Sequence, residues 1–248
     1  MAKVSQIERN FRVRFAQIDG ARVIFFPRYL EMIAETFPEV AIQKFPFDLA
    51  IRFLQPNRLG DDIKMCLEQS ADGWVVSGGM ESECFSVALS GRDKNDEPEQ
   101  YQDKPASFET GEFIIQDWMC GPSGQLHLSR YYELVNHTVE RWFDASLGMT
   151  FSDLHIARSL GVPTVQLDTR CQRLPASGDM VIIGLQPLSI GASAVQLMTR
   201  LASAGETWLE TRQVIVFVEL SDKKIRSIQI PEALRIRMVE QLATAQSE

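Results

Sequence analysis

The sequence has few cysteines, and their spacing fits neither a disulfide framework nor a metal site. Four thiols lie far apart without a Cys-x-x-Cys pair: Cys66, Cys84, Cys120 and Cys171. This spacing favours reduced cysteines in a cytoplasmic protein. No apolar run approaches the ~20 residues of a membrane span, and the charged N-terminal segment does not resemble a signal peptide. We therefore expect a cytoplasmic protein that has no membrane partner.

An excess of positive charge and two common catalytic motifs are also missing. The formal net charge of −8 argues against nucleic acid as the main partner. No Gly-x-Ser-x-Gly elbow occurs, which argues against a serine hydrolase of the α/β type, and no glycine-rich phosphate loop is present. The composition, 45% hydrophobic and 23% charged over 248 residues, is that of a globular protein with one large or two small domains.

The pattern of strands and turns occurs twice along the chain. Tyr29 aligns with Tyr131, and the Gly-Asp turn at 60–61 aligns with the one at 178–179. The second pair lies further apart in sequence than the first, and the difference falls in the helix, so the first helix is short and the second long. A repeat of one strand, one helix and four strands predicts two α+β units, each of which needs its helix and its twin to bury its faces.

Residues 15–31 join a strand, a turn and a helix in the first copy. Alternating apolar residues predict a strand that ends at Phe15, and its counterpart in the second copy is expected at Glu112–Asp117. Pro27 suits the first position of a helix, because its missing N–H would have no partner there. Asp19 then lies just before a helix N-terminus, where free N–H groups favour negative charge. A carboxylate beside such an anion site suits acyl-transfer chemistry.

A family resemblance rests on four segments in a fixed order. The stretch Gln17–Tyr29 reads Gln-Ile-Asp-Gly-Ala-Arg-Val-Ile-Phe-Phe-Pro-Arg-Tyr. It resembles the signature of the 4-hydroxybenzoyl-CoA thioesterase family, roughly Asp-x-Asp-Pro-Ala-Gly-Ile-Val-Phe-Tyr-Pro-Asn-Tyr. Met119–Tyr131 is similar to a worn copy of it, and residues 55–61 and 224–231 are similar to the family's middle turn and C-terminal segment. The likeness covers nearly the whole chain outside a linker at 93–111.

The resemblance implies the hotdog fold, in which a sheet wraps around one long helix. Single-unit members of the family pair across their sheets, with active sites between the two units. A tandem chain would form that pair internally, as a double hotdog of the α+β class. The two units are expected at 1–92 and 112–240, and a further homo-oligomer of the internal pair stays open.

The resemblance also implies site residues. The family's catalytic carboxylate falls on Asp19, as a nucleophile or as a base that activates water. Its oxyanion donor, a backbone N–H at the helix start, falls on Phe26. No metal and no cofactor are implied, apart from the coenzyme A that is part of the substrate. Eight further residues are expected to line the substrate site from both units: Gln17, Arg22, Val23, Phe25, Gly161, Pro163, Thr164 and His127.

Several departures from the signature bear on function. The family's first Asp is Gln17, an amide that cannot act as a base. The family's Gly is Arg22, whose charge could bind an anionic part of the ligand or pair with Asp19. The second copy has Gly121 at the catalytic position, so we expect at most one functional site per chain, with the second site dead or reused. A basic cluster that some members use for CoA phosphates is missing, which leaves acyl carrier protein open as the carrier.

Three functions fit this pattern. The first is hydrolysis of an acyl or aryl thioester of coenzyme A or acyl carrier protein. The second is a hotdog dehydratase or hydratase, whose sites pair a histidine with a carboxylate; His127 is the candidate across the interface, whereas His155 is expected in packing or on the surface. The third is a degenerate, non-catalytic protein that binds an acyl ligand, which Gly121 and the missing basic cluster favour.

Overall fold

The computed structural model describes residues 5–38, 40, 45–92, 106–220 and 225–247. Most of the expected linker lies outside these residues. The first half forms one helix and five strands. They are β1 (Ser5–Arg12), α1 (Arg28–Thr36), β2 (Phe47–Phe53), β3 (Asp62–Gln69), β4 (Gly73–Gly79) and β5 (Glu83–Gly91).

The second half repeats this order and adds further elements. The repeated elements are β6 (Phe108–Ile114), α2 (Leu128–Leu147), β8 (Thr164–Cys171), β9 (Met180–Ile190), β10 (Ala194–Ser203) and β11 (Glu206–Val216). Three short strands form a separate small sheet: β7 (Leu160–Gly161), β12 (Val218–Leu220) and β13 (Ile225–Ser227). A third helix, α3 (Glu232–Ser247), follows. As expected, α2 is the longer of the two repeated helices, with 20 residues against 9 in α1.

The described strands of both halves join into one ten-stranded sheet of order β1-β3-β4-β5-β2-β8-β11-β10-β9-β6. The two halves meet where β2 pairs antiparallel with β8, from Phe47 opposite Cys171 to Arg52 opposite Gln166. Going outward from this junction, each half presents its strands in the same repeat order. The junction is therefore an approximate two-fold axis between two copies of one α+β unit, as the sequence repeat predicts.

Each helix packs on the sheet of its own half. In β3 the apolar residues Ile63, Met65 and Leu67 are fully buried and alternate with polar ones, so one face of the strand points to the helix. Tyr29 and Ile33 of α1 are buried against that face. This alternation is what binds each helix to its sheet, because the buried face loses contact with water.

The first turns of the two helices meet across the junction in a ring of ion pairs. Arg28 lies 3.1 Å from Glu133, and Arg130 lies 3.9 Å from Glu31. Within each helix, Arg28 pairs with Glu31 and Arg130 with Glu133, both at 2.7 Å. Arg28 and Glu31 occupy the same repeat positions as Arg130 and Glu133, so the ring has the two-fold symmetry of the paired units.

Some element limits differ from the prediction. The first strand ends at Arg12, and Phe15 begins a short 3₁₀ turn in which its side chain is 79% exposed. Val13 leaves the ladder because it exchanges hydrogen bonds with the Gly-Asp turn at 60–61. The corresponding second-copy strand, expected at Glu112–Asp117, lies at Phe108–Ile114. Pro27 is the residue before the first helical position, not the first position itself.

Candidate functional site

The Asp19 loop is closed by its own backbone. The Asp19 N–H donates to the Val23 carbonyl at 2.9 Å, and the Arg22 N–H donates to the Asp19 carbonyl at 3.0 Å. Oδ1 of Asp19 accepts from the N–H groups of Ala21 at 2.8 Å and Val23 at 3.3 Å. Among the described residues, Oδ2 has no hydrogen-bond partner. One carboxylate oxygen therefore holds the loop, and the other is available to a ligand.

The surroundings of Asp19 make its carboxylate more basic than usual. Although the residue keeps an exposed edge, desolvation by nearby protein atoms raises the pKa of its carboxyl above the ordinary 3.8. Hydrogen bonds from Val23 and Ala21 and the positive charge of His155 lower that pKa, but by less. A raised pKa makes the ionised carboxylate a stronger base, which suits a general base or nucleophile.

His155 was expected in packing or on the surface, and its ring lies 5.7 Å from the Phe151 ring. It belongs to a short helical turn after α2, Asp153–Ala157, in the second half, and it is among the weaker influences that lower the pKa of Asp19. The expected partner across the junction was His127. No sequence signal marks His155, because its position depends on how the two halves dock.

Phe26 has the free N–H that the predicted oxyanion role needs. The N–H groups on either side are used: Phe25 donates to Gln17 at 2.9 Å, Arg28 donates to Phe25 at 2.8 Å, and Pro27 has none. No hydrogen bond of the described chain uses the Phe26 N–H. It lies at the start of α1, where the helix dipole favours negative charge.

Gln17 makes the hydrogen bonds of a turn residue. Its Oε1 accepts from the Arg14 N–H at 2.7 Å, and its carbonyl accepts from the Phe25 N–H. These bonds connect the 3₁₀ turn to the segment before α1. Gln17 thereby fixes where Phe25 and the helix start lie relative to Asp19.

Arg22 has a backbone conformation that is unusual for its residue type. Its φ is 62°, and the equivalent Gly124 of the second loop has φ 73°. In both loops this residue donates its N–H to the residue three positions earlier, at 3.0 Å in the first and 2.9 Å in the second. The Arg22 side chain is exposed and forms no ion pair with Asp19 within the described residues, so the guanidinium leaves the carboxylate open.

Arg22→Gly and Gly124→Ala form a matched pair that tests this strain. Left-handed backbone costs a residue with a Cβ about 1 kcal/mol. We expect Arg22→Gly to raise the free energy of unfolding by about that amount and Gly124→Ala, which has open space around its Cβ, to lower it similarly. Urea unfolding measures both. If Arg22→Gly instead destabilised the protein and Gly124→Ala stabilised it, side-chain contacts and not backbone strain would govern these positions.

The remaining predicted residues lie on two sides of the junction. Val23 bridges to Arg58, and the Phe25 ring lies 5.5 Å from the Phe26 ring, so both belong to the first half. The predicted closing segment is held within the second half by three contacts: Gly161 pairs with Val218, the Pro163 carbonyl accepts from the Val216 N–H, and Thr164 Oγ1 accepts from Gln213.

Comparisons with known proteins identify the fold. No protein-family model and no curated protein sequence matches the chain significantly. A solved structure described as an oleoyl thioesterase (putative) from Lactobacillus plantarum is similar, with a TM-score of 0.62 and 9% identity over 87% of this chain and 97% of that chain. A 12:0-ACP thioesterase from Umbellularia californica is similar with a TM-score of 0.60 and 11% identity, over 85% of this chain and 93% of that chain.

The chain has the double-hotdog fold. This confirms the predicted α+β architecture of two tandem hotdog units paired within one chain. At identities this low the likeness establishes the fold alone. None of the helices in the described ranges is long and apolar enough to cross a bilayer. In the same ranges no three His, Cys, Asp or Glu side chains are grouped to hold a metal ion.

The double hotdog has a cavity of about 350 Å³ on the sheet, away from Asp19. It lies across the junction, and its lining includes Asp48, Ala50, Asp168, Arg170, Glu210 and Arg212. Asp48 and Ala50 alternate with the buried Leu49, so the cavity opens on the face opposite the helices. None of the predicted site residues lines it.

Proposed function

We propose that the protein hydrolyses acyl thioesters, with Asp19 as the carboxylate and the Phe26 N–H as the oxyanion donor. The observation that carries this proposal is the pairing of an exposed carboxylate, with one free oxygen, and an unused N–H at the start of α1. The two similar double-hotdog structures are described as thioesterases, which supports the same reaction class for this chain.

The proposed chemistry uses both groups on one carbonyl. The thioester oxygen would accept a hydrogen bond from Phe26, whose N–H is already oriented by the helix start and needs no rearrangement. Asp19 would attack the carbonyl carbon or remove a proton from the attacking water. On the base route the C–S bond breaks and the thiolate leaves with the proton taken from water. On the nucleophilic route the thiolate leaves first, and water then hydrolyses the anhydride on Asp19 and supplies the proton, so both routes give one acid and one thiol.

The predicted residues supply the proposed substrate contacts. Val23 and Phe25 are half-buried apolar residues that follow Asp19 in the same segment, which suits an acyl or aryl group. Arg22, exposed and free of any ion pair within the described chain, suits an anionic part of the carrier. Gln17 supports the loop, and the segment at 161–164 would close the site from the second half. The carrier is coenzyme A or acyl carrier protein.

Thiol release from a panel of acyl-CoA and acyl-carrier-protein thioesters tests this function. Release of free thiol together with the acid supports the hydrolase. Tight binding of the thioesters without turnover would instead identify a non-catalytic acyl-binding protein. The panel should include aryl and medium-chain acyl groups, because Val23 and Phe25 are apolar.

The dependence of kcat/KM on pH provides a second test. Only ionised Asp19 can act as base or nucleophile, so the rate is expected to fall as pH decreases through the pKa of this carboxyl. Because desolvation raises that pKa above 3.8, the fall should begin at a higher pH than for an ordinary aspartate. A rate that stays constant down to roughly pH 4 would contradict the assignment.

Dehydration or hydration of a 3-hydroxyacyl thioester is the second candidate function. Such sites pair a histidine with a carboxylate, and His155 of the second half is among the groups that lower the pKa of Asp19. Loss of water from 3-hydroxyacyl thioesters without thiol release would support it, and the thioester panel distinguishes the two reactions directly.

A further inference from the structure

The second loop keeps the backbone of the Asp19 loop but has no side chain at the catalytic position. The Gly121 N–H donates to the Gln125 carbonyl at 2.8 Å, the bond that Asp19 makes with Val23 in the first loop. A Cβ built on Gly121 would lie 3.8 Å from Cδ2 of His127. Because Cδ2 is bonded to Nε2, this edge of the imidazole faces the space where the carboxylate is missing.

The opposite edge of the same ring is held by hydrogen bonds that cross into the first half. Nδ1 of His127 lies 2.7 Å from Ser129 Oγ, and Ser129 Oγ donates to Glu31 Oε1 at 3.1 Å. Ser129 is only 1% exposed, and Glu31 is paired with Arg28 at 2.7 Å. The imidazole is thus oriented by a buried hydroxyl and, through it, by a partly exposed carboxylate. The equivalent first-half positions are Phe25 and Pro27, which form no such chain.

Counting the protons along this chain favours one tautomer of His127. A carboxylate at Glu31 can only accept, so the single hydroxyl proton of Ser129 is used in the 3.1 Å bond. The 2.7 Å contact then takes its proton from Nδ1, and Nε2 keeps its lone pair. The Ser129 N–H donates to Nδ1 at 3.2 Å, as in a helix N-cap, and this bond needs the opposite tautomer. That arrangement would set the hydroxyl lone pairs against the carboxylate, so the charge-assisted bond favours the proton on Nδ1.

Burial, and not the neighbouring charges, favours the neutral form of the His127 ring. Burial lowers the pKa of His127 below its ordinary 6.5, and the charge of Arg130 adds to that effect. Glu31 and Glu133 raise this pKa, but by less than burial lowers it. A neutral imidazole with a free Nε2 can accept a proton at neutral pH.

The Leu128 N–H at the start of α2 is the counterpart of the Phe26 N–H in the first half. Leu128 occupies the repeat position of Phe26 and begins α2. Its N–H makes no hydrogen bond within the part of the chain that the structure describes. The positive end of a 20-residue helix therefore presents a free donor directly after His127.

We propose that the second half holds a second thioester-hydrolysing site, in which His127 replaces the carboxylate as base and Ser129 and Glu31 position it. This inference rests on the substrate class of the proposed function, and it departs from the sequence-based expectation of one site at most. His127 Nε2 takes a proton from water, and the oxygen attacks the thioester carbonyl. The C–S bond then breaks, and the imidazolium returns its proton to the leaving thiolate, so the products are one acid and one thiol.

Two hydrogen-bonding groups assist this step. The Leu128 N–H donates to the oxyanion that forms on the carbonyl. Glu31, through Ser129, stabilises the imidazolium and keeps Nδ1 protonated, as the carboxylate does in a catalytic triad.

Thiol release by three variants tests the proposal: Asp19→Asn, His127→Gln and the double variant. Asp19→Asn is expected to retain a slow rate that His127→Gln in the same background lowers by about 100-fold. Equal rates for Asp19→Asn and the double variant, in an active wild type, would overturn the second site and leave the Asp19 site standing. A wild type that releases no thiol from any thioester of the panel would overturn both.

Nitrogen-15 chemical shifts of the His127 ring decide its role independently of turnover. A histidine that only caps α2 accepts the Ser129 N–H at Nδ1 and carries its proton on Nε2. The proposed base carries it on Nδ1, and Ser129→Ala is expected to reverse that preference while also reducing the residual rate of Asp19→Asn. An Nε2–H tautomer in the wild type would show that His127 only caps α2 and would overturn its role as a base.

Discussion

Asp19→Asn is expected to lower kcat/KM for thioester hydrolysis by about 100-fold or more, the usual contribution of a general base or nucleophile. The substituted amide keeps an oxygen that can accept the Ala21 and Val23 N–H bonds now made by Oδ1. The loop should therefore keep its shape. What is lost is the negative charge and the basic oxygen, so the fall measures chemistry and not folding.

The measurement is steady-state thiol release, compared with a matched carboxylate elsewhere. Asp62→Asn serves as the control, because Asp62 is an exposed residue that pairs with Arg12 at 2.8 Å on the edge of the sheet. We expect Asp62→Asn to hydrolyse thioesters at the wild-type rate. Both variants are expected to unfold thermally at the same temperature as the wild type. If Asp19→Asn were fully active, the reaction would have to use another group.

Thr211→Val is expected to lower the free energy of unfolding by about 2–4 kcal/mol, because it breaks two buried hydrogen bonds and leaves the Tyr131 hydroxyl without a partner. Four hydroxyls form a chain under α2: Tyr131 to Thr211, Thr211 to Thr169, and Thr169 to Tyr132, each at 2.7 Å. All four residues are at most 2% exposed. Valine has nearly the shape of threonine, so the change removes the central hydroxyl and little packing.

Tyr131→Phe is the matched control for that substitution. It removes a hydroxyl at the end of the chain and breaks one of the three bonds, so a loss of about 1 kcal/mol is expected. Urea unfolding at equilibrium gives both values. Equal losses for the two variants would mean that the hydroxyls do not act as a chain, and that the attachment of α2 to β8 and β11 depends on apolar packing alone.

The first copy shows what local sequence can predict. The turn at Asp19, the short helix after Pro27 and the alternating strand β3 each depend on neighbours within a few residues. Their signals are proline geometry, alternation and short polar side chains, which act over one turn or one strand. The strand limit at Phe15 was wrong because a contact with the distant turn at 60–61 ends the ladder early.

The site is less predictable, because its parts meet only when the halves dock. Asp19 and the Phe26 amide belong to one continuous segment, and a family resemblance was enough to select them. Glu31 of the first half accepts a hydrogen bond from Ser129 of the second half. This contact leaves no trace in spacing or periodicity, since the two residues are 98 positions apart in the sequence.

The sequence by itself determined the two α+β units, because repeated turn residues and alternating burial act locally and identically in each copy. It also determined the loss of the carboxylate at Gly121. The tertiary structure decided which groups share a site. Pairing of β2 with β8 brings the two helix N-termini together, and only that docking places the Glu31 carboxylate two hydrogen bonds from His127, through Ser129.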